Sequence, residues 1–186
     1  MELFIVRHGE PDLSGDDLSD PPLTTLGQRQ ANATADFLAA VSFTAVYASP
    51  QRRAQQTAAP LLAGRETKPV TDERIAEFDY ELGSYVTPST FEGMTRDQAM
   101  TLLGEYQGPA FQARVRSGFD DIIASHAGQT VAVVCHGGVI NAVVKDVLEA
   151  KQPLAPNHAS VTRVTASRAG VRSLLTFNEH HWLKDL

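Results

Sequence analysis

The apolar run Leu3-Phe4-Ile5-Val6 reads as a short buried strand, and it stops directly at Arg7-His8-Gly9-Glu10. Two later runs stop in the same way. Thr44-Ala45-Val46-Tyr47-Ala48 leads into Ser49-Pro50-Gln51-Arg52-Arg53-Ala54, and Val131-Ala132-Val133-Val134-Cys135 leads into His136-Gly137-Gly138. Open α/β sheets bind ligands just beyond the carboxyl ends of their parallel strands. If these three strands share a parallel sheet, Arg7, His8, Arg53 and His136 converge at one mouth. Two guanidiniums and two imidazoles there suit a dianionic oxyanion, phosphate foremost.

The intervening segments support that arrangement. Strand and helix patterns alternate, which argues for α/β with a mainly parallel sheet. Thr25 is placed to cap a helix running to about Ala40, with Gln28 at the capping-box position and Ala31, Ala35 and Leu38 as its buried stripe. Ser49 and Pro50 suit the N-cap and first position of a second helix that buries Ala54, Ala58 and Leu61 and ends at Gly64. Phe111, Val115, Phe119 and Ile122 mark a third helix, stopped near Gly128, and a fourth after Gly138 buries Ile140, Val143, Val144 and Val147. Residues 161–166 and 171–177 read as a closing strand pair. Residues 11–22 read as a surface loop at the mouth. Residues 78–108 fit none of this regularity. They carry Tyr80, Tyr85, Phe91 and Tyr106, five acids, and Arg96 as the one base. They read as an insertion over the mouth, where specificity usually resides.

A chain of 186 residues fits one domain, 1–186, with a substantial core. No apolar run approaches the ~20 residues of a bilayer span, and no secretory signal is visible. The single cysteine excludes an internal disulfide framework. A cytoplasmic protein without membrane attachment is expected. The net charge is −6 and the basic residues are scattered, which argues against nucleic acid as a partner. The oligomeric state stays open.

In their order along the chain these motifs resemble the histidine phosphatase superfamily, also called phosphoglycerate mutase-like. The matching pieces are Arg7-His8-Gly9-Glu10, the stretch Ser49 to Ala58, Ile75-Ala76-Glu77 and Val134-Cys135-His136-Gly137-Gly138. Weaker matches are Leu23 to Ala31 and the tail Asn178 to Leu183. The resemblance implies a three-layer α/β/α fold with a mainly parallel central sheet and a short insertion over the site. It implies that His8 is the phosphorylated nucleophile, that Arg53 rather than Arg52 is the functional arginine, and that Glu77 is the proton donor and later base. Asp72, Glu73 and Glu81 are rivals to Glu77, and Glu10 and Asp12 are others with structural or rim roles. The family usually has Leu where this chain has Gln51, Asn where it has Ser14, and Thr or Ser where it has Pro11.

Chemistry bears on each of these residues. Neutral imidazole is abundant near pH 7 and forms a labile phosphoramidate. His8 needs one nitrogen free to attack, with the other holding its proton against an acceptor, for which the Gly9 carbonyl is the candidate. Arg7 and Arg53 clamp phosphoryl oxygens, and His136 donates to them. Gly137 and Gly138 let the backbone approach the ligand ahead of a helix N-terminus. Gly9, Ser14, Gly137, Tyr80 and Tyr85 are the expected substrate-binding residues. No cofactor or metal is implied. His126, His158, His180 and His181 lack metal-ligand spacing and read as surface or packing residues. Cys135 is expected in the core, because the residue six places after it is Asn141 and not the arginine of cysteine phosphatases.

The expected activity is hydrolysis of a phosphomonoester or of a phosphohistidine on a protein. The alternatives are a mutase-type phosphotransferase, which needs more cations in the insertion, and a non-catalytic phosphate-binding scaffold.

Overall fold

The computed structural model describes residues 1–67, 69–149 and 154–186. The strands are β1 (Glu2–Arg7), β2 (Ala45–Ala48), β3 (Pro69–Thr71), β4 (Thr130–Cys135), β5 (Val161–Ala166) and β6 (Arg172–Glu179). They form one sheet in the order β3-β2-β4-β1-β5-β6. β1, β2, β3 and β4 run parallel, whereas β5 and β6 are antiparallel to their neighbours. The sheet is therefore mostly parallel, as the alternating pattern requires.

The helices are α1 (Thr25–Phe37), α2 (Arg52–Leu62), α3 (Asp79–Leu82), α4 (Arg96–Tyr106), α5 (Pro109–Ser125) and α6 (Gly137–Leu148). Side-chain alternation along β1 divides the core. Leu3 and Ile5 join Val131, Val133 and the apolar faces of α5 and α6 on one side of the sheet. Phe4 and Val6 join Val46, Ala132, Val134 and the faces of α1 and α2 on the other. Both faces of β1 are covered, so its sequence is continuously apolar rather than alternating. Burying each of the Leu, Ile, Val and Phe side chains among these contributes roughly 1.5–3 kcal/mol. A one-residue slip would exchange the two faces, so the hydrophobic set pins the register.

That register aligns the functional ends. Arg7 lies opposite Cys135 and Ala48 opposite Val134. The His8 N–H donates to Cys135 O at 2.9 Å and the Ser49 N–H to Val134 O at 3.0 Å. The residues after β1, β2 and β4 thus emerge level with one another at the carboxyl ends of the parallel strands.

Several local expectations are corrected. The N-cap of α1 is Thr24, whose hydroxyl accepts the Gly27 N–H, and the helix stops at Phe37. Gln51, not Ser49, is the N-cap of α2, and the Arg52 N–H is capped from the mouth loop by the Asp20 carboxylate. Val147 is only partly buried. Residues 78–108 are more regular than expected: they hold α3, a 3-10 turn over Pro88–Phe91, and α4 with a Thr95–Gln98 capping box. α4 buries none of its residues, so its sequence lacks the apolar stripe that marked the core helices. β3 is exposed along its length and carried no strand signal for the same reason. Among the described residues no helix is long and apolar enough to cross a membrane.

Candidate active site

A cavity of about 170 Å³ opens at the carboxyl ends of β1 and β4 and is lined by Arg7, His8, Arg53, Glu77, Asp79 and Tyr85, together with Gly137 and Gly138. His8 is buried and its Nδ1 lies 2.7 Å from the Gly9 carbonyl. Only an N–H can serve that oxygen, so Nδ1 carries the proton and Nε2 keeps its lone pair. The Gly9 N–H is fixed in turn by the Thr57 hydroxyl at 2.9 Å. Gly9 is also a packing requirement: a Cβ there would stand 2.5 Å from Gly27 O, where the start of α1 presses on this loop.

His136 is completely buried, its Nε2 lying 2.7 Å from Ser49 Oγ and its ring centroid 5.0 Å from that of His8. Burial, Arg53 and Arg7 hold the His8 pKa well below its ordinary value, and burial, Arg53 and His8 do the same for His136. Both rings are neutral near pH 7.

Arg53 is 1% exposed on α2, and its Nη2 donates to both Asp79 oxygens at 3.0 Å. That leaves Nε and Nη1 without partners. Arg7 donates through Nη1 to Pro156 O at 2.5 Å, which leaves its Nε unpaired. Tyr85 lies across the Arg53 guanidinium at 4.8 Å, and its N–H donates to Leu18 O, tying residues 78–108 to the mouth loop.

Glu77 is delivered by the turn Glu73–Ile75, which the side chain of Arg114 on α5 braces through the carbonyls of Glu73, Arg74 and Ala76. Its carboxylate accepts N–H groups from Gly138 at 2.7 Å and Phe78 at 3.1 Å. Burial and the nearby Asp79 carboxylate raise its pKa to about 7. Near neutral pH it therefore exists as both acid and base.

The structure thus gathers Arg7, His8, Arg53, Glu77, Tyr85 and Gly137 on the wall of one cavity, with Gly9 and His136 packed against His8. Two expected contacts lie elsewhere. Ser14 is exposed and its hydroxyl donates to Asp12, closing a local turn. Tyr80 is 42% exposed and is absent from the cavity wall, because α3 turns its phenol outward. Of the rival acids, Asp72 is held by Arg74 and Glu81 pairs with Arg114 at 3.2 Å.

Four residues with direct roles in this geometry were missed. Asp79 is one of the five acids of residues 78–108, and its spacing from Glu77 places both at one turn. Ser49 and Thr57 sit in the recognised motif, yet nothing in sequence says where their hydroxyls point. His158 was read as a surface or packing residue; its ring lies 5.5 Å from His8, and burial with Arg7 and Arg53 lowers its pKa to about 4.

Eight buried polar side-chain atoms among the described residues lack a hydrogen-bond partner, and five of them surround His8: Arg7 Nε, Arg53 Nε and Nη1, His136 Nδ1 and His158 Nε2. Buried polar groups are normally paired. Such a cluster of nitrogens has the donor chemistry to receive a compact polyoxyanion.

This sheet and mouth are those of a phosphoglycerate mutase-like α/β protein. The chain belongs to the histidine phosphatase superfamily (branch 1), whose profile matches residues 3–179. It is 30% identical over 158 residues to a protein of Hydrogenobacter thermophilus, covering 76% of each chain. Phosphoserine phosphatase 1 of the same organism is 26% identical over 152 residues, covering 73% of this chain and 71% of that one. A bifunctional protein of Mycobacterium tuberculosis is 30% identical over 161 residues, which are 80% of this chain and 44% of the larger protein. In fold, the chain is similar to phosphoserine phosphatase from Entamoeba histolytica, with a TM-score of 0.79 at 22% identity over 98% of each chain.

Proposed function

We propose that this chain is a metal-independent phosphatase that hydrolyses a small phosphomonoester, or a phosphohistidine, through a phosphohistidine intermediate on its own His8. The observation that carries this reading is the set of unpaired nitrogens around a neutral histidine whose Nε2 is free. Nε2 attacks phosphorus, and the bond from phosphorus to the leaving oxygen breaks. Glu77 gives its proton to that oxygen. Water then attacks the phosphohistidine, Glu77 takes a proton from it, and inorganic phosphate leaves with His8 restored. His136 Nε2 meets the Ser49 hydroxyl and its Nδ1 has no partner, so in the tautomer in which Ser49 donates to Nε2 the Nδ1–H is left to donate to the phosphoryl group. Arg7 and Arg53 supply the fixed charge that a metal provides in other phosphoryl-transfer sites.

Hydrolysis is favoured over mutase chemistry by the wall of the cavity. Arg96, the one base of residues 78–108, is exposed at the start of α4 and away from the cavity, so these residues bring no base to the cavity for the net-negative glycerate leaving group of mutase chemistry, whereas serine is a net-neutral zwitterion. The small cavity and the acids Glu77 and Asp79 fit small leaving groups of neutral or cationic character. The relatives named phosphoserine phosphatases fit that class.

The test is turnover of p-nitrophenyl phosphate and phosphoserine by wild type and His8→Ala, with acid-quenched and base-quenched labelling. The expected results are no turnover in the variant, a base-stable and acid-labile phosphoprotein in the wild type, inhibition by vanadate, and no effect of EDTA. Turnover by His8→Ala would overturn the nucleophile, and inactivation by EDTA would overturn metal independence.

A further inference from the structure

Gln51 stands where the family motif usually has Leu, and its side chain is not merely filling that space. It is 2% exposed, and both ends of its amide are engaged. Oε1 accepts the Glu77 backbone N–H at 2.8 Å, and Nε2 donates to Asp79 Oδ1 at 2.7 Å. A backbone N–H can only donate and a carboxylate oxygen here accepts, so the partners dictate the amide orientation. Asp79 in turn receives Arg53 Nη2 through both oxygens. One continuous chain of hydrogen bonds therefore runs from the backbone of Glu77 through Gln51 and Asp79 to the guanidinium of Arg53.

This chain joins two parts of the site with no covalent proximity. Arg53 belongs to α2, which starts beside Gln51 after β2, whereas Glu77 arrives on the turn after β3. We propose that Gln51 is a positioning residue, which sets the separation between the carboxyl group of Glu77 and the phosphate-facing side of Arg53 by bridging Glu77 and Asp79. The proposal rests on Glu77 being the proton donor. Leu or Met at this position fills a similar volume, but leaves the Glu77 N–H and one Asp79 acceptor site without this partner. The turn is then free to drift, and ångström-scale misplacement of a reacting group costs up to ~10²-fold in rate.

A proton donor matters most when the leaving group is poor, which gives a readout that general loosening of the fold would not share. Single-turnover phosphorylation is measured with an alkyl phosphate (phosphoserine) and an aryl phosphate (p-nitrophenyl phosphate). The proteins are wild type, Gln51→Leu, Glu77→Gln and the double variant, with Gln51→Met in place of Gln51→Leu should the latter fail to fold. The expected result is a roughly tenfold slower alkyl reaction in Gln51→Leu, in line with the modest net worth of the two hydrogen bonds that are lost. The aryl rate and KM should stay within about twofold, and the Gln51 substitution should add little in the Glu77→Gln background, because coupled residues are not additive. Equal slowing of both substrates, or full additivity with Glu77→Gln, would overturn the role of Gln51 while leaving Glu77 as the acid. An unchanged alkyl rate in Glu77→Gln itself would overturn the Glu77 reading and the Gln51 role together.

Discussion

Glu77 and Gly138 are fitted to each other: Glu77 Oε2 accepts the Gly138 N–H at 2.7 Å, and a Cβ on residue 138 would stand 2.2 Å from Oε1. The carboxylate occupies the space a side chain would take. Gly138→Ala must push Glu77 out of its seat, and overpacking of this kind typically costs ~1–3 kcal/mol. The expected outcome is a stability loss of that size in urea titration, with at least a tenfold fall in kcat for alkyl phosphates. Gly137→Ala should be milder, since the nearest atom to its Cβ is Arg7 Nε at 3.6 Å. Full activity in Gly138→Ala would remove Glu77 from the reaction.

The pH dependence of rate follows from the same seat. Burial and then Asp79 raise Glu77 from 4.5 to about 7. The protonated form needed for leaving-group departure is lost as pH rises through that value. For an alkyl phosphate, kcat/KM in single-turnover phosphorylation should fall across pH 7, and that limb should vanish in Glu77→Gln. An identical limb in the variant would assign the titration to another group.

Folding stability should respond to pH with one sign at the buried histidines and the opposite sign at Glu77. Burial, Arg7 and Arg53 lower His158 from 6.5 to about 4, so the unfolded chain binds the proton more tightly. Its contribution is complete above the unfolded value and is lost as pH falls from about 6.5 towards 4. His8 and His136, lowered by burial first, act in the same direction. Glu77 acts oppositely: its contribution is complete below 4.5 and is lost as pH rises to about 7. Urea midpoints measured across this range should show a shallower acid-side loss in His158→Gln than in wild type. A parallel profile would show that His158 does not titrate with folding.

Tyr85 and Tyr80 should separate in their effects on specificity. Tyr85 lines the cavity and lies across Arg53 at 4.8 Å, whereas Tyr80 is 42% exposed and outside the wall. Tyr85→Ala should change kcat/KM severalfold and unequally across a panel of phosphomonoesters. Tyr80→Ala should leave the relative rates within about twofold, as substitutions away from packed or charged features usually do. Equal responses to both would place the specificity in the loop after His8.

Short-range sequence information was enough for the central strands and for the residues that emerge from their carboxyl ends. Leu3 to Val6 and Val131 to Cys135 are apolar on both faces because both faces are covered, and that pattern exists before any tertiary contact. The motifs at their ends place Arg7, His8 and His136 by covalent connection to those strands, and Arg53 stands on the first turn of α2 beyond β2. What lies between the strands depended on the fold. Ser49 serves His136 rather than a helix, Gln51 joins Glu77 to Asp79, and His158 reaches His8 from across the chain. α4 and β3 escaped notice because they are little buried and so carry no burial period. The sequence determines which groups stand at the strand ends, since the hydrophobic pattern fixes strand identity and face. Only the tertiary structure decides which buried nitrogens stay unpaired and how far the Glu77 pKa rises. Those properties belong to the enclosure made by distant segments, and no local pattern encodes it.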